Sequence, residues 1–371
     1  MKNFAELMAA TQSLESFFLP VILRLGKEYD MHTFNRLFEE GKVSFVHDGI
    51  LSQLKELIKT HHPSIQIDEQ QYLELIQSHL NGIEISHYGV WIYYPWNQRI
   101  VHILDEEEFI AVRTNRNRNK ITTEEQELLK TKKIGVIGLS VGQSIAATLV
   151  TERTCGEIRL ADFDIAELSN LNRIRTGIHN LELNKAVIVA REIMEIDPFI
   201  KVKVFEDGFN ESNMEAFFQH DGCLDLLIEV CDGLEAKLTS RFHAQKLKIP
   251  VVMDTNDRGM LDVERFDLEP ERSILHGKLD HLITDGTIVV NEENRKKILM
   301  SILSYDSLSE RMKLSMTEIG KTINAWPQLA SSVVLGGAIT TDISRRILLN
   351  QHFQSGRFYV DLEEIFDKTT N

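Results

Sequence analysis

Residues 135–144 read GVIGLSVGQS, and the segments on either side of them differ in period. Upstream, Ile134, Val136 and Ile137 form a short apolar run suited to a buried strand. Downstream, Ile145, Ala146, Ala147, Leu149 and Val150 form a small-residue helix. A strand, a glycine-punctuated turn and a helix in that order predict the phosphate-cradling turn of a Rossmann-like unit, with backbone amides and a helix N-terminus facing the ligand. The pattern is a loosened G-x-G-x-x-G. Gly138 takes the first place, Ser140 and Gln143 stand where the second and third glycines would be, and Gly142 is displaced by one.

From residue 121 onward, strands alternate with helices. ITTEEQELLKTKK reads as a helix, IGVIG as a strand, QSIAATLVTER as a helix and EIRLADFD as a strand. A helix over 184–196, the strand KVKVF, the strand DLLIEVCD, a helix through Leu247 and the strand IPVVMD follow. This order predicts an α/β fold, a Rossmann-like, mostly parallel sheet with flanking helices. Residues 271–325 are polar, with one helix around Arg295 to Leu303, and 327–349 read as a small-residue helix packed on the core.

Before this region the chain reads differently. Helical spacing of Phe4, Leu7 and Met8, of Leu14, Phe17, Phe18, Ile22 and Leu23, and of Leu51, Leu54, Leu57 and Ile58 predicts a helical N-terminal part. Segment 83–112 alternates and is rich in aromatic and β-branched residues, which predicts a hairpin with PWNQ at its turn. Trp91, Tyr93, Tyr94 and Trp96 are expected as packed strand residues rather than a binding surface. The expected organisation is a smaller helical/β domain over 1–112 and a Rossmann-like domain with a C-terminal helical extension over 113–371.

Composition narrows the function. With 371 residues, 43% hydrophobic and 26% charged, the chain has the make-up of a globular protein with a large core. Acidic side chains among the first residues and the lack of any run near ~18 apolar residues argue for a cytoplasmic protein with no membrane partner. A net charge of -15 argues against nonspecific nucleic-acid binding. The local basic run Arg113, Arg116, Arg118 and Lys120 keeps a tRNA contact open. Cys155, Cys223 and Cys231 form no CxxC pair and are expected as buried packing residues. His276, Asp280 and His281 are expected in a solvated loop rather than a metal site.

The chemistry concentrates in 161–185, ADFDIAELSNLNRIRTGIHNLELNK, where the carboxylates Asp162 and Asp164 precede Asn170, Arg173 and Lys185. Asp162 closes the second strand some twenty residues beyond Gly142, the place from which a carboxylate accepts hydrogen bonds from ribose hydroxyls. To this point a nicotinamide enzyme and an ATP enzyme fit equally. Two fixed cations and an amide donor near the helix terminus, with Asp232 closing the strand DLLIEVCD at the carboxyl edge of the sheet, favour a triphosphate and magnesium. Arg and Lys offset phosphate charge, and a carboxylate holds the ion.

The string DFDIAELSNLNR, preceded by the glycine turn and followed by Lys185 and CDGLEAK, resembles the ThiF/MoeB family of ubiquitin-activating-type adenylating enzymes across roughly 113–258. The resemblance implies an ATP-dependent adenylyltransferase that activates a carboxylate as its acyl-adenylate. The carboxylate would be the C-terminus of a ubiquitin-like or sulfur-carrier protein, a peptide or a small acid, and the enzyme a homodimer. By matching positions it implies that Asp162 binds the ribose, that Asn170, Arg173 and Lys185 bind phosphates, and that Asp232 binds magnesium. Gly138, Ser140, Gly142 and Asp164 complete the expected nucleotide site. An N-terminal arginine that enters the partner subunit's site corresponds to Arg116 or Arg118.

The chain departs from the family pattern in its loosened glycine turn and in Gly233, which replaces an amide side chain after Asp232. No cysteine follows Cys231, so a thioester-forming step is not expected. The segment DTNDRGMLDVERFDLEP falls where the family's crossover loop begins. Two other readings stand beside adenylylation: an NAD(P)- or FAD-dependent Rossmann oxidoreductase, and a noncatalytic nucleotide-binding scaffold.

Overall fold

The structure, a computed structural model, describes residues 15–284 and 286–367, so Phe4, Leu7, Met8 and Leu14 lie outside the described residues. The chain divides into two compact units, residues 1–123 with 194–199, and residues 124–193 with 200–371.

The first unit holds β1 (Val21–Leu23), α1 (Glu28–Glu39), β2 (Phe45–Asp48), α2 (Ile50–His61), α3 (Glu69–Leu80), β3 (Val90–Tyr94), β4 (Arg99–Ile103) and α4 (Glu106–Arg113). Its sheet runs β1-β3-β4-β2, with β1, β3 and β4 antiparallel and β2 parallel to β4. The hairpin over PWNQ forms as expected, and Trp91, Tyr93 and Tyr94 are buried in it. All five residues of β3 are buried because both of its faces are covered. Trp91 and Tyr93 pack with Leu23, Leu37 and Ile100, while Leu54, Leu57 and Ile58 of α2 form a second cluster with Ile76 and Leu104. The helical expectation for Phe17, Phe18, Ile22 and Leu23 is corrected: Phe17 and Phe18 stand outside any helix, and Ile22 and Leu23 are strand residues paired with Ile92 and Trp91. Pro20 opposes a helix through this point, and a three-residue strand is too short to declare its period.

The second unit holds α5 (Thr123–Lys130), β5 (Lys133–Ile137), α6 (Gly142–Glu152), β6 (Glu157–Ala161), α7 (Lys185–Ile196), β7 (Lys201–Phe205), α8 (Met214–Gln219), β8 (Leu226–Glu229), α9 (Leu234–Lys246), β9 (Val251–Thr255) and β10 (Met260–Glu264), then α10 (Glu292–Leu303), α11 (Glu310–Glu318), α12 (Ala330–Leu348), β11 (Gly356–Tyr359) and α13 (Leu362–Asp367). The seven-stranded sheet runs β11-β10-β9-β8-β5-β6-β7. Strands β9, β8, β5, β6 and β7 are parallel, and β10 and β11 extend the edge antiparallel. The Rossmann-like, mostly parallel α/β sheet predicted above is thus the observed fold.

The segment DTNDRGMLDVERFDLEP forms the end of β9, a tight turn and β10. It turns at Arg258 and Gly259 and pairs β10 back on β9. Its acids Asp262 and Glu264 are buried and answered by Arg357, His276 and Arg241. Helix α12 packs on α6, where Gly337 allows close approach: a Cβ there would lie 2.5 Å from Ser144 Oγ. Among the described residues no helix is long and apolar enough to cross a membrane.

Candidate functional site

The order of the sheet locates the site. From β5 the chain proceeds to β6 and β7 on one side, then returns to β8 and β9 on the other. The crevice beyond the carboxyl ends of β5 and β8 is therefore the topological switch point, where open α/β sheets bind ligands. Gly138 ends β5 with φ +90°, and a Cβ there would lie 2.7 Å from Cys231 Cα and N. The turn passes directly over the chain leaving β8, and a side chain would collide with backbone. No side chain caps α6 at Val141.

Asp162 is the first residue beyond β6 and is 8% exposed. Its Oδ2 accepts the Leu139 N–H at 2.6 Å and its Oδ1 the Asp164 N–H at 2.8 Å, so the carboxylate staples the β5 turn to the β6 turn. Burial pushes this carboxyl above its usual range, while the two amides and the Lys185 charge act in the opposite sense. Lys185 opens α7 and is buried; its ammonium donates to Asp164 Oδ2 at 2.9 Å and to Ser140 Oγ at 3.4 Å. Asn184, just before it, caps α7 through the Ala186 N–H and donates to the Asp162 carbonyl at 3.1 Å.

Arg173 follows a 3-10 turn, Leu168–Asn172. One guanidinium nitrogen donates to Asn172 Oδ1 at 2.9 Å, but the buried Nε finds no acceptor among the described residues. Burial lowers the pKa of this group and the charge of Asp232 raises it, so the two side chains lie within electrostatic reach. Asp232 is exposed.

Gly138, Ser140, Asp162, Asp164 and Asp232 line one hollow, and Lys185 reaches its wall through Ser140 and Asp164. Asn170 and Gly142 are placed differently. Asn170 is buried, and its Oδ1 accepts the Glu167 N–H at 3.1 Å, which shapes the turn carrying Arg173. Gly142 lets α6 pack on β5, since a Cβ there would meet Val136 Cγ1 at 2.9 Å. Gln143, at the third glycine position, is fully buried and donates to Glu192 Oε2 at 2.6 Å. Arg118 lies in the first unit, exposed after the turn Asn115–Asn117, as does Arg116. Arg113 is not a free member of the basic run: it pairs with buried Asp197 at 3.2 Å.

The cysteines divide three ways, which corrects the expectation of a buried set. Cys155 is buried, Cys223 exposed, and Cys231 half-buried beside Asp232. His276 pairs with Asp262 at 3.0 Å, and Asp280 accepts the Ser273 hydroxyl. Among the described residues no group of three His, Cys, Asp or Glu side chains is arranged to hold a metal.

A second cavity of about 560 Å³ adjoins the hollow, and Val230, Cys231 and Asp232 stand on both walls. Its lining includes Asp254, Asn256 and Gln328, none of which the sequence reading singled out. The signal for Asp254 was available. It follows the apolar run IPVVM as Asp232 follows DLLIEVC.

Residues 114–264 match the family model described as the ThiF family. The chain is 43% identical over 278 residues to an uncharacterized protein of Mycobacterium tuberculosis (strain CDC 1551 / Oshkosh), covering 75% of this chain and 38% of that protein. This chain therefore spans well under two thirds of that relative's length. It is 22% identical over 243 residues to the tRNA threonylcarbamoyladenosine dehydratase of Bacillus subtilis (strain 168), covering 63% of this chain and 95% of that protein. A solved structure of the E. coli tRNA N6-threonylcarbamoyladenosine dehydratase in complex with AMP aligns with a TM-score of 0.49 at 18% identity, covering 66% of this chain and 97% of that one.

Proposed function

We propose, from the premise that residues 114–264 of this chain are a ThiF-family domain, that the protein transfers the adenylyl group of ATP to a carboxylate. The observation that carries this reading is the meeting of two spaces at Asp232: the hollow over the β5 turn, and the larger cavity beside it. A nucleotide in the first and an acid in the second would bring an α-phosphorus and a carboxylate together there. The donor set suits that pairing. The cradle at Gly138 excludes a side chain, Asp162 keeps oxygen lone pairs for ribose hydroxyls, and the buried Arg173 Nε has no acceptor among the described residues.

The chemistry asks for no protein nucleophile. A substrate carboxylate oxygen attacks the α-phosphorus, the bond to the bridging oxygen breaks, and pyrophosphate leaves with the electron pair. Arg173 and Lys185 offset the charge that accumulates on the phosphates, and Lys185 also fixes the turn through Ser140. Asp232 would hold magnesium, which when bound supplies further positive charge to the phosphates. Buried placement keeps Lys185 oriented before the reaction begins. In this reading the acid is a ubiquitin-like C-terminus, a peptide or a small acid, the enzyme is a homodimer, and Arg118 serves the partner's site.

ATP–pyrophosphate exchange dependent on a carboxylate tests the proposal. Asp232→Ala and Arg173→Ala are expected to lower the exchange rate by about a thousandfold, by the scale of lost phosphate-neutralising groups. Asp232 is exposed, so its variant should keep the wild-type unfolding transition. Full exchange by Asp232→Ala would remove the proposal.

A further inference from the structure

The cavity beside Asp232 is lined in part by Asp254, whose carboxylate the described residues leave unanswered. Asp254, on β9, is 4% exposed, and neither of its oxygens meets a hydrogen-bond donor among the described residues. Other buried acids of this unit are paired. Glu229 has Lys237 and Arg241, Glu264 has Arg241, Asp262 has Arg357 and His276, and Glu157 has Arg159. A buried carboxyl without partners costs stability that a fold normally avoids. Here the fold makes room for it, because any side chain at Gly336 of α12 would collide with the carboxylate.

Two more oxygens of residues that line the cavity are in the same condition. Asn256 Oδ1 and Gln328 Oε1 are buried without a donor among the described residues. The cations that line the cavity are engaged elsewhere or lie at its mouth: Lys237 is held by Glu229, Arg295 pairs with Glu235, and Lys296 is exposed. Much of the remaining wall is apolar, with Val141, Val230, Leu234, Met253, Leu299 and Ile302. The volume lies within the range of small-molecule sites. Unanswered acceptors around an apolar chamber are complementary to a ligand that brings N–H donors and positive charge on an apolar body.

We propose that the acid activated at Asp232 carries a cationic nitrogen, an ammonium or guanidinium group separated from its carboxyl by an apolar spacer, and that Asp254, with Asn256 and Gln328, recognises it. This rests on the reading of the cavity as the acyl site. Burial alone pushes the Asp254 carboxyl well above its ordinary range, with no charge among the described residues opposing it. An arriving cation supplies that charge. Asp254 is a specificity residue in this scheme and takes no part in phosphoryl transfer.

Calorimetric titration of the whole chain with ω-amino acids from 4-aminobutanoate to 8-aminooctanoate, each against the plain fatty acid of equal length, tests the idea. The same acids are assayed for ATP–pyrophosphate exchange. At the best length the amino acid should bind about 10- to 100-fold more tightly than its uncharged counterpart, the scale of a charge-assisted hydrogen bond. Asp254→Asn should reduce that ratio to near unity while raising the stability of the ligand-free protein. A lack of preference at every length overturns the assignment, and so does a preference that survives Asp254→Asn. The wild-type comparison stands even should the variant fold poorly. Equal exchange with charged and uncharged acids leaves adenylylation intact and removes only the role of Asp254. A cationic preference without exchange from any acid keeps that role and counts against adenylylation.

Discussion

At Gly138 the backbone takes φ +90°, and the atoms that a Cβ would strike belong to the main chain of Val230 and Cys231. A backbone neighbour cannot swing aside as a side chain can. Gly138→Ala should therefore cost on the order of 2–4 kcal/mol, from the positive φ and the collision together. Gly142→Ala meets only the methyls of Val136 and Val230 and a Leu139 side-chain carbon, and should cost less. Urea midpoints of the two variants check the order, and equal midpoints would show that the turn relaxes freely. Gly138 was legible because a strand–glycine–helix succession has few other meanings. Gln143 was not. Its role depends on Glu192, forty-nine residues away, which no local pattern announces.

Strand β8 and helix α9 are joined by charge inside the core. Glu229 receives the Lys237 ammonium at 2.9 Å on both oxygens and the Arg241 guanidinium, and Arg241 continues to Glu264 of β10 at 2.8 Å. Lys237 and Arg241 are four residues apart, so one face of the helix presents both. These cations hold the Glu229 carboxyl at about 2, against its burial. A depressed carboxyl stabilises the fold above its unfolded value near 4.5, and the contribution is lost as pH falls from there toward 2. It amounts to roughly 3 kcal/mol. Glu229→Gln should be about 3–5 kcal/mol less stable at pH 7, because buried Lys237 loses its anion and buried Arg241 one of its two. Its stability should then vary less than wild type's between pH 4.5 and 2. Denaturant titrations across that window measure both effects, and parallel curves would contradict this account. The alternation of strands and helices through β9 was readable from period alone. Strands β10 and β11 were not, since the buried acids of β10 look solvated until Arg241 and Arg357 are placed beside them.

For the molecule as a whole, the test is which nucleotide it binds. A Rossmann-like sheet serves dinucleotides and triphosphates alike, and the fold does not choose between them. Lys185 and Arg173 near the switch point favour the triphosphate. ATP with magnesium should therefore raise the thermal midpoint, by the equivalent of about 2.7 kcal/mol at a hundred times its Kd, whereas NADH and NADPH should leave it unchanged. A rise with the nicotinamides alone would return the protein to the oxidoreductase reading. The net charge of -15 also belongs to this scale, since it sets the field that a partner approaches.

Short-range pattern was enough to specify the β5 turn, the strand–helix alternation, and acids at the strand ends Asp162 and Asp232. Each of these depends on residues within a few positions of one another, where backbone period and steric limits act directly. Tertiary structure alone decided which charges are answered. Asp262 finds Arg357 ninety-five residues away, Arg173 comes within reach of Asp232, and Asp254 lines a cavity without a donor to either oxygen among the described residues. Burial and electrostatic pairing arise only when distant segments are packed together, so those facts have no local signature.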